Sequence, residues 1–216
     1  MLVYRLQSPS RPQTHSPAIV LLHGIGSHEH DLFGLAPYLD PSCYIFSLRA
    51  PLPYGMGGYS WFDLAITPQG LQVDARGAAQ SRQAVLEFVA EVTQQYGLDP
   101  NQIYVMGFSQ GAMLSLSLLL HHPQCWAGAV AMSGCLLPEL APENPNPQAF
   151  AAKPVLVTHG DRDPVVPILY GEFTHDQLQR WPLALTYRTY AMGHEVNSDS
   201  LTDVVQWFTQ YLSPSG

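Results

Sequence analysis

The chain has 216 residues, of which 46% are apolar and only 12% charged, with 9 Lys and Arg against 17 Asp and Glu for a net charge of −8. So apolar a composition excludes intrinsic disorder. Nine scattered cations cannot neutralise a run of phosphates, which excludes a nucleic-acid surface and argues against docking on anionic lipid.

In chain order, residues 17–22 form a continuous apolar run ending in His23-Gly24, the pattern of a strand covered on both faces. Residues 44–48 form a second. The stretch from Tyr54 to Ala78, with Gly55, Gly57, Gly58, Pro68 and Gly70, reads as a loop-like cover. Residues 74–96 read as a helix, because Val85, Phe88, Val89, Val92 and Tyr96 recur at helical spacing, with Gly97 as its stop. Residues 103–108 are a third buried run, followed at once by a helix over 110–121. Residues 126–132 and 154–158 are the fourth and fifth runs. Between them, residues 134–153 are rich in Pro and Asn and too short for a cap domain. A helix over 168–181, a strand over 185–190 and a last helix capped by Asn197 or Ser198 complete the chain. Leu201, Val204, Val205, Phe208 and Leu212 line that last helix. Strands alternating with helices predict a mostly parallel sheet with helices on both faces, in one domain over residues 1–216. In such sheets the chemistry sits just beyond the carboxyl ends of the strands.

Beyond the third run stands Gly107-Phe-Ser-Gln-Gly111, a G-x-S-x-G pattern with a strand before it and a helix after it. The sharp turn it implies exposes the Ser109 hydroxyl at a helix N-terminus, as a nucleophile requires. A serine needs a base within hydrogen-bond reach. The Gly193-His194 pair after the last strand supplies one, and His159-Gly-Asp-Arg-Asp163 after the fifth run supplies the acid that orients it. Asp161 suits an Asx turn after Gly160, and Asp163, ahead of Pro164, suits the acid; spacing leaves both open. An oxyanion hole of backbone N–H groups is assigned to Gln110, next to the nucleophile, and to Ile25 in the loop His23-Gly-Ile-Gly26. His23 itself reads as a structural hydrogen-bonding residue.

The sequence resembles the phospholipase/carboxylesterase family of α/β hydrolases, which includes acyl-protein thioesterases and small bacterial carboxylesterases. The resemblance runs through 22–26, Arg49-Ala-Pro51, Tyr59-Ser-Trp-Phe-Asp63, 107–111, His159-Gly-Asp-Arg-Asp-Pro-Val-Val-Pro167 and Gly193-His194. It implies a single-domain α/β-hydrolase fold without a cap and Asp163 as the triad acid. It also implies an oxyanion hole from the N–H groups of Ile25 and Gln110.

Trp61 and Phe62 are expected to line or buttress the acyl pocket, with Met56, Leu136, Val165 and Met192 as further pocket residues. His28-Glu-His-Asp31 reads as a polar loop rather than a metal site, since no fourth ligand or H-E-x-x-H helix accompanies it. His121 and His122 suit a helix C-terminus. The expected reaction is hydrolysis of short-to-medium acyl esters through an acyl-enzyme on Ser109, with no cofactor and no metal. The alternatives are acyl-protein thioesterase or lysophospholipase activity, and a hydrolase-fold binding protein that has lost turnover, against which the intact Ser109, Asp163 and His194 argue. The expected partner is a small acyl ester or an S-acylated protein, with no nucleic acid, no membrane insertion, and a monomer or homodimer as the assembly. The apolar runs are too short to cross a membrane, the first residues turn polar too early for a signal peptide, and Cys43, Cys125 and Cys135 lack C-x-x-C spacing. These features together point to a reducing, cytoplasmic setting.

Overall fold

The computed structural model describes residues 1–11, 15–68 and 70–212. The chain begins with β1 (Tyr4–Gln7) and β2 (Ala18–Leu22), makes a 3-10 turn over Leu32–Tyr38, and continues into β3 (Tyr44–Leu48). Two small hairpins come next: β4 (Leu52–Tyr54) with β5 (Gly58–Ser60), then β6 (Leu64–Thr67) with β7 (Gly70–Val73). After them come α1 (Ala75–Tyr96), β8 (Ile103–Phe108), α2 (Gln110–His121) and β9 (Gly128–Met132). The chain closes with β10 (Pro154–Gly160), α3 (Ile168–Leu178), β11 (Ala184–Tyr190) and α4 (Ser198–Tyr211).

Seven strands form one sheet in the order β1-β3-β2-β8-β9-β10-β11. β1 runs antiparallel to β3, with Tyr4 opposite Leu48, and the other pairs are parallel. Because side chains alternate along a strand, each central strand feeds two cores. Ala18, Val20 and Leu22 of β2 join Ile103 and Val105 of β8 under α1, α2 and α3. Ile19 and Leu21 join Tyr104 and Met106 under α4 and the 3-10 turn. This double burial is why β2, β9 and β10 read as unbroken apolar runs. Helix α2 is buried from Gln110 to Leu120, consistent with its apolar sequence on every side.

The α/β architecture predicted from the alternation is the observed one. Three regions differ in detail. β1 escapes the apolar pattern because it is an edge strand whose residues are only half buried. The stretch read as a loop-like cover contains the two hairpins, and Gly55 and Gly57 at positive φ make the tight turn of the first. Helix α3 stops at Leu178, short of Trp181 and Pro182. Its neighbours are better bounded: Asp74 caps α1 through the Arg76 N–H, and Asn197 caps α4 through the Ser200 N–H.

Gly97 ends α1 in the left-handed conformation, with φ 62°, and a Cβ there would meet open space. Gly97→Ala therefore changes only the backbone strain. It is expected to cost about 1 kcal/mol and to lower Tm by roughly 2–4 °C in a thermal melt, without affecting activity.

Candidate active site

The strand ends of β8, β10 and the loop after β11 bring three side chains together. His194 Nε2 lies 2.9 Å from Ser109 Oγ, and His194 Nδ1 lies 2.7 Å from Asp163 Oδ2. With the carboxylate accepting from Nδ1–H, Nε2 is left free to accept the serine proton. The other carboxylate oxygen, Asp163 Oδ1, accepts from the N–H groups of Val165 and Val166, both at 2.8 Å. Phe108 packs on the His194 ring, with centroids 4.8 Å apart. Asp161, the alternative acid, has a half-exposed side chain 3.7 Å from the Arg162 guanidinium.

Ser109 sits at the turn itself, with φ 55° and ψ −118°, a backbone conformation that costs an L-residue of order 1–3 kcal/mol. Its own N–H donates to the Met132 carbonyl of β9. The flanking glycines are needed for space rather than for dihedral freedom. A Cβ on Gly111 would overlap the Leu22 carbonyl oxygen at the end of β2, and one on Gly107 would overlap the Gly111 carbonyl. Gly24 is less crowded; a Cβ there would stand 3.3 Å from that of Ser109, a tight contact rather than an overlap.

Ser109 thus faces two backbone segments, 23–26 and the start of α2. Among the described residues the N–H groups of Ile25 and Gln110 have no acceptor. The peptide carrying the Ile25 N–H is fixed through its other end, because the Gly24 carbonyl accepts from His23 Nδ1–H at 2.7 Å. His23 Nε2 accepts from the Ala50 N–H at 3.1 Å, and burial holds this imidazole below its ordinary pKa, hence neutral. The structural role expected of His23 is the one its contacts show.

The expected pocket residues separate by depth. Trp61 and Phe62 have no exposed surface, and Leu136 and Met192 have almost none, so these four offer a ligand little or no wall. Met56 is fully exposed at the tip of the β4–β5 hairpin, where it forms no pocket wall. Val165, 46% exposed and next to the acid, is the expected residue that meets solvent at the site. A cavity of about 290 Å³ opens beside His194, walled by Leu32, Leu35, Phe108 and Val196 with the carboxylates of Asp31 and Glu195.

The loop 28–31 is more than a solvated polar turn. Glu29 is buried and takes the Arg49 guanidinium in a fork, Nε to Oε2 and Nη2 to Oε1, each at 2.6 Å. The guanidinium also lies over the Tyr59 ring, 4.7 Å from its centroid. Tyr59 in turn pairs its backbone with Gly26 and Ser27. A buried glutamate needs such a partner, but neither its spacing from Arg49 nor any local pattern announces one. His159, fully buried at the end of β10, carries no local signal either; its Nε2 donates to the Val166 carbonyl at 2.7 Å, behind the acid loop.

A doubly covered, mostly parallel sheet with a serine at a strained strand-to-helix turn, and an imidazole and carboxylate within reach, defines an α/β hydrolase. Residues 5–213 match the phospholipase/carboxylesterase family, and the chain belongs to it. It is 30% identical to acyl-protein thioesterase 1 of Saccharomyces cerevisiae, covering 96% of this chain and 98% of the yeast protein. It is 29% identical to acyl-protein thioesterase 1 of Kluyveromyces lactis, covering 94% and 95%. In fold it is similar to the crystal structure of the Bacillus cereus carboxylesterase, with a TM-score of 0.82, 23% identity and coverage of 98% and 95%. The chain is therefore a serine hydrolase of the carboxylic-ester type. Among the described residues no helix is long and apolar enough to cross a membrane.

The fork from Arg49 holds the Glu29 carboxyl down to a pKa of about 2, against an ordinary value of 4.5. A carboxylate depressed in the folded state contributes stability that is complete above about pH 4.5 and is lost as pH falls toward 2. Glu29→Gln is expected to lower Tm at pH 7 by at least about 4 °C. The gap from wild type should narrow in melts taken from pH 5 to pH 3.

Proposed function

We propose that the protein is a carboxylesterase of short-to-medium acyl esters, with Ser109 as nucleophile, His194 as general base and Asp163 as the orienting acid. The observation that carries this reading is the unbroken relay of 2.9 Å and 2.7 Å from Ser109 through His194 to Asp163. Ser109 Oγ attacks the acyl carbonyl carbon as its proton passes to His194 Nε2. The tetrahedral oxyanion is met by the N–H groups of Ile25 and Gln110, and the carboxylate of Asp163 balances the imidazolium. Collapse expels the alcohol, which takes the proton from His194. A water then repeats the sequence on the acyl-enzyme, giving the free acid and restoring Ser109.

The size of the site supports small substrates. The cavity beside His194, about 290 Å³, is at the lower end for ligand pockets. Between β9 and β10 lie only two short 3-10 turns, at Pro138–Leu140 and Pro147–Phe150, and no inserted cap. The carboxylates of Asp31 and Glu195 at that cavity oppose an anionic leaving group, which weighs against a lysophospholipid. A second reading, acyl-protein thioesterase, rests on the yeast relatives of that name at 29–30% identity. The same relay serves a thioester, whose thiolate leaves more readily than an alkoxide. We propose a cytoplasmic setting for either reading, on the strength of the three free cysteines.

His194→Ala is expected to lower kcat on a short p-nitrophenyl ester by at least about 10³-fold while leaving the melting temperature near wild type. Retained turnover would overturn the assignment of the base. A fluorophosphonate should label Ser109 in wild type and fail to label Ser109→Ala. A chain-length series from acetyl to palmitoyl esters, set beside an S-acyl-cysteine peptide, separates the two substrate readings: a maximum at short-to-medium esters is expected, and preference for the thioester favours the second.

A further inference from the structure

Ser109 and the two N–H groups that face it come from different parts of the chain, and one buried residue touches both parts. The indole Nε1–H of Trp61 donates to the His23 carbonyl at 2.9 Å. The backbone N–H of the same residue donates to the Gln110 side-chain Oε1, also at 2.9 Å. Gln110 completes the link by donating Nε2–H to the Phe62 carbonyl at 2.7 Å, and Ser60 Oγ donates to that carbonyl at 2.6 Å. The Trp61 carbonyl accepts from Ser81 Oγ on α1, which anchors the segment from behind. The side chains of Ser60, Trp61, Ser81 and Gln110 are all buried.

The geometry points to Trp61 as a positioning residue that sets the separation between the two oxyanion donors, Ile25 N–H and Gln110 N–H. This rests on the acyl-transfer reading above and adds to it. The His23 carbonyl belongs to the peptide immediately before the one whose far side carries the Ile25 N–H. That second peptide is oriented by the His23 imidazole, whose ring lies 5.4 Å from the Trp61 ring. On the other side, the residue that carries the second N–H, Gln110, is tied by its side chain to the same segment, which fixes the start of α2 against it. The Gln110 amide oxygen accepts from the Trp61 N–H and from Ser60 Oγ at 3.2 Å, and its amide nitrogen donates to the Phe62 carbonyl. Hydrogen-bond donors aimed at a developing oxyanion lose most of their value when displaced by a fraction of an ångström, so a bridge of two 2.9 Å bonds acts on the transition state. It does not act on ground-state binding, because Trp61 has no surface to offer a substrate.

The test compares Trp61→Phe with wild type on a short p-nitrophenyl ester and with a trifluoromethyl ketone of matching acyl length, which binds as a tetrahedral adduct. The variant keeps an aromatic ring and the backbone bond to Gln110 and removes the indole donor. The expected result is a kcat lower by about tenfold or more, KM within about twofold, and weaker ketone binding by a similar factor to the loss in kcat. Gln110→Met, which cuts the other half of the bridge, is expected to show the same split. An active wild type with kcat kept within about twofold in a folded Trp61→Phe overturns the proposal, as does a loss carried by KM. Inability of both variants to fold overturns it too, since the bridge would then serve the fold. An inactive wild type instead sinks the acyl-transfer reading on which the proposal stands.

Discussion

Where α2 begins, its first turn lies against the end of β2 so closely that residue 111 has no room for even a methyl group beside the Leu22 carbonyl. That contact governs the geometry around the serine. It forces glycine at 111, and glycine at 107 where the turn folds back on itself. It brings the loop 23–26 to within van der Waals distance of Ser109 through Gly24. The left-handed backbone at Ser109 is a cost of the same geometry. It is borne by a helix buried along almost its whole length and by the Ser109 N–H bond to β9. A looser packing of α2 on β2 would relax the serine and move it away from the loop that carries Gly24.

Charge is used sparingly around this contact. The buried groups that carry charge are matched: Glu29 by Arg49, and Asp163 by two N–H groups and an imidazole. An unpaired buried carboxylate would cost several kcal/mol, so such pairs are few. The low share of charged residues in the chain thus reflects a fold in which most of the sheet is covered on both faces and little of it can tolerate a charge.

Elements whose sequence signal is local are legible in the residues alone. The five apolar runs, the α1 periodicity with its Gly97 stop, and the G-x-S-x-G elbow belong to this group, because burial on both faces and helical spacing write themselves into consecutive residues. The chain order of Ser109, acid and His194 is legible for a related reason, since each lies just past a strand end. The choice between Asp161 and Asp163 is not, because spacing is nearly the same for both and only the fold turns one inward and leaves the other half exposed. The Glu29–Arg49 fork and the ties of Gln110 to Trp61 and Phe62 are hidden for the same cause. They join residues 20 and about 50 positions apart, and no local pattern marks a polar side chain that will be buried. Trp61 and Phe62 read as lining or buttressing the pocket, and aromatic character alone does not distinguish those roles.

The two hairpins between β3 and α1 add no strand to the seven-stranded sheet. They form their own two-stranded pieces, yet the first touches the loop 23–27 through Tyr59, and the segment just past it carries Trp61. Residues 54–57, exposed at the tip of the first hairpin, can therefore change length or composition without disturbing the sheet, whereas the short segment from Tyr59 to Phe62, bonded to residues 23, 26, 27 and 110, has no such freedom.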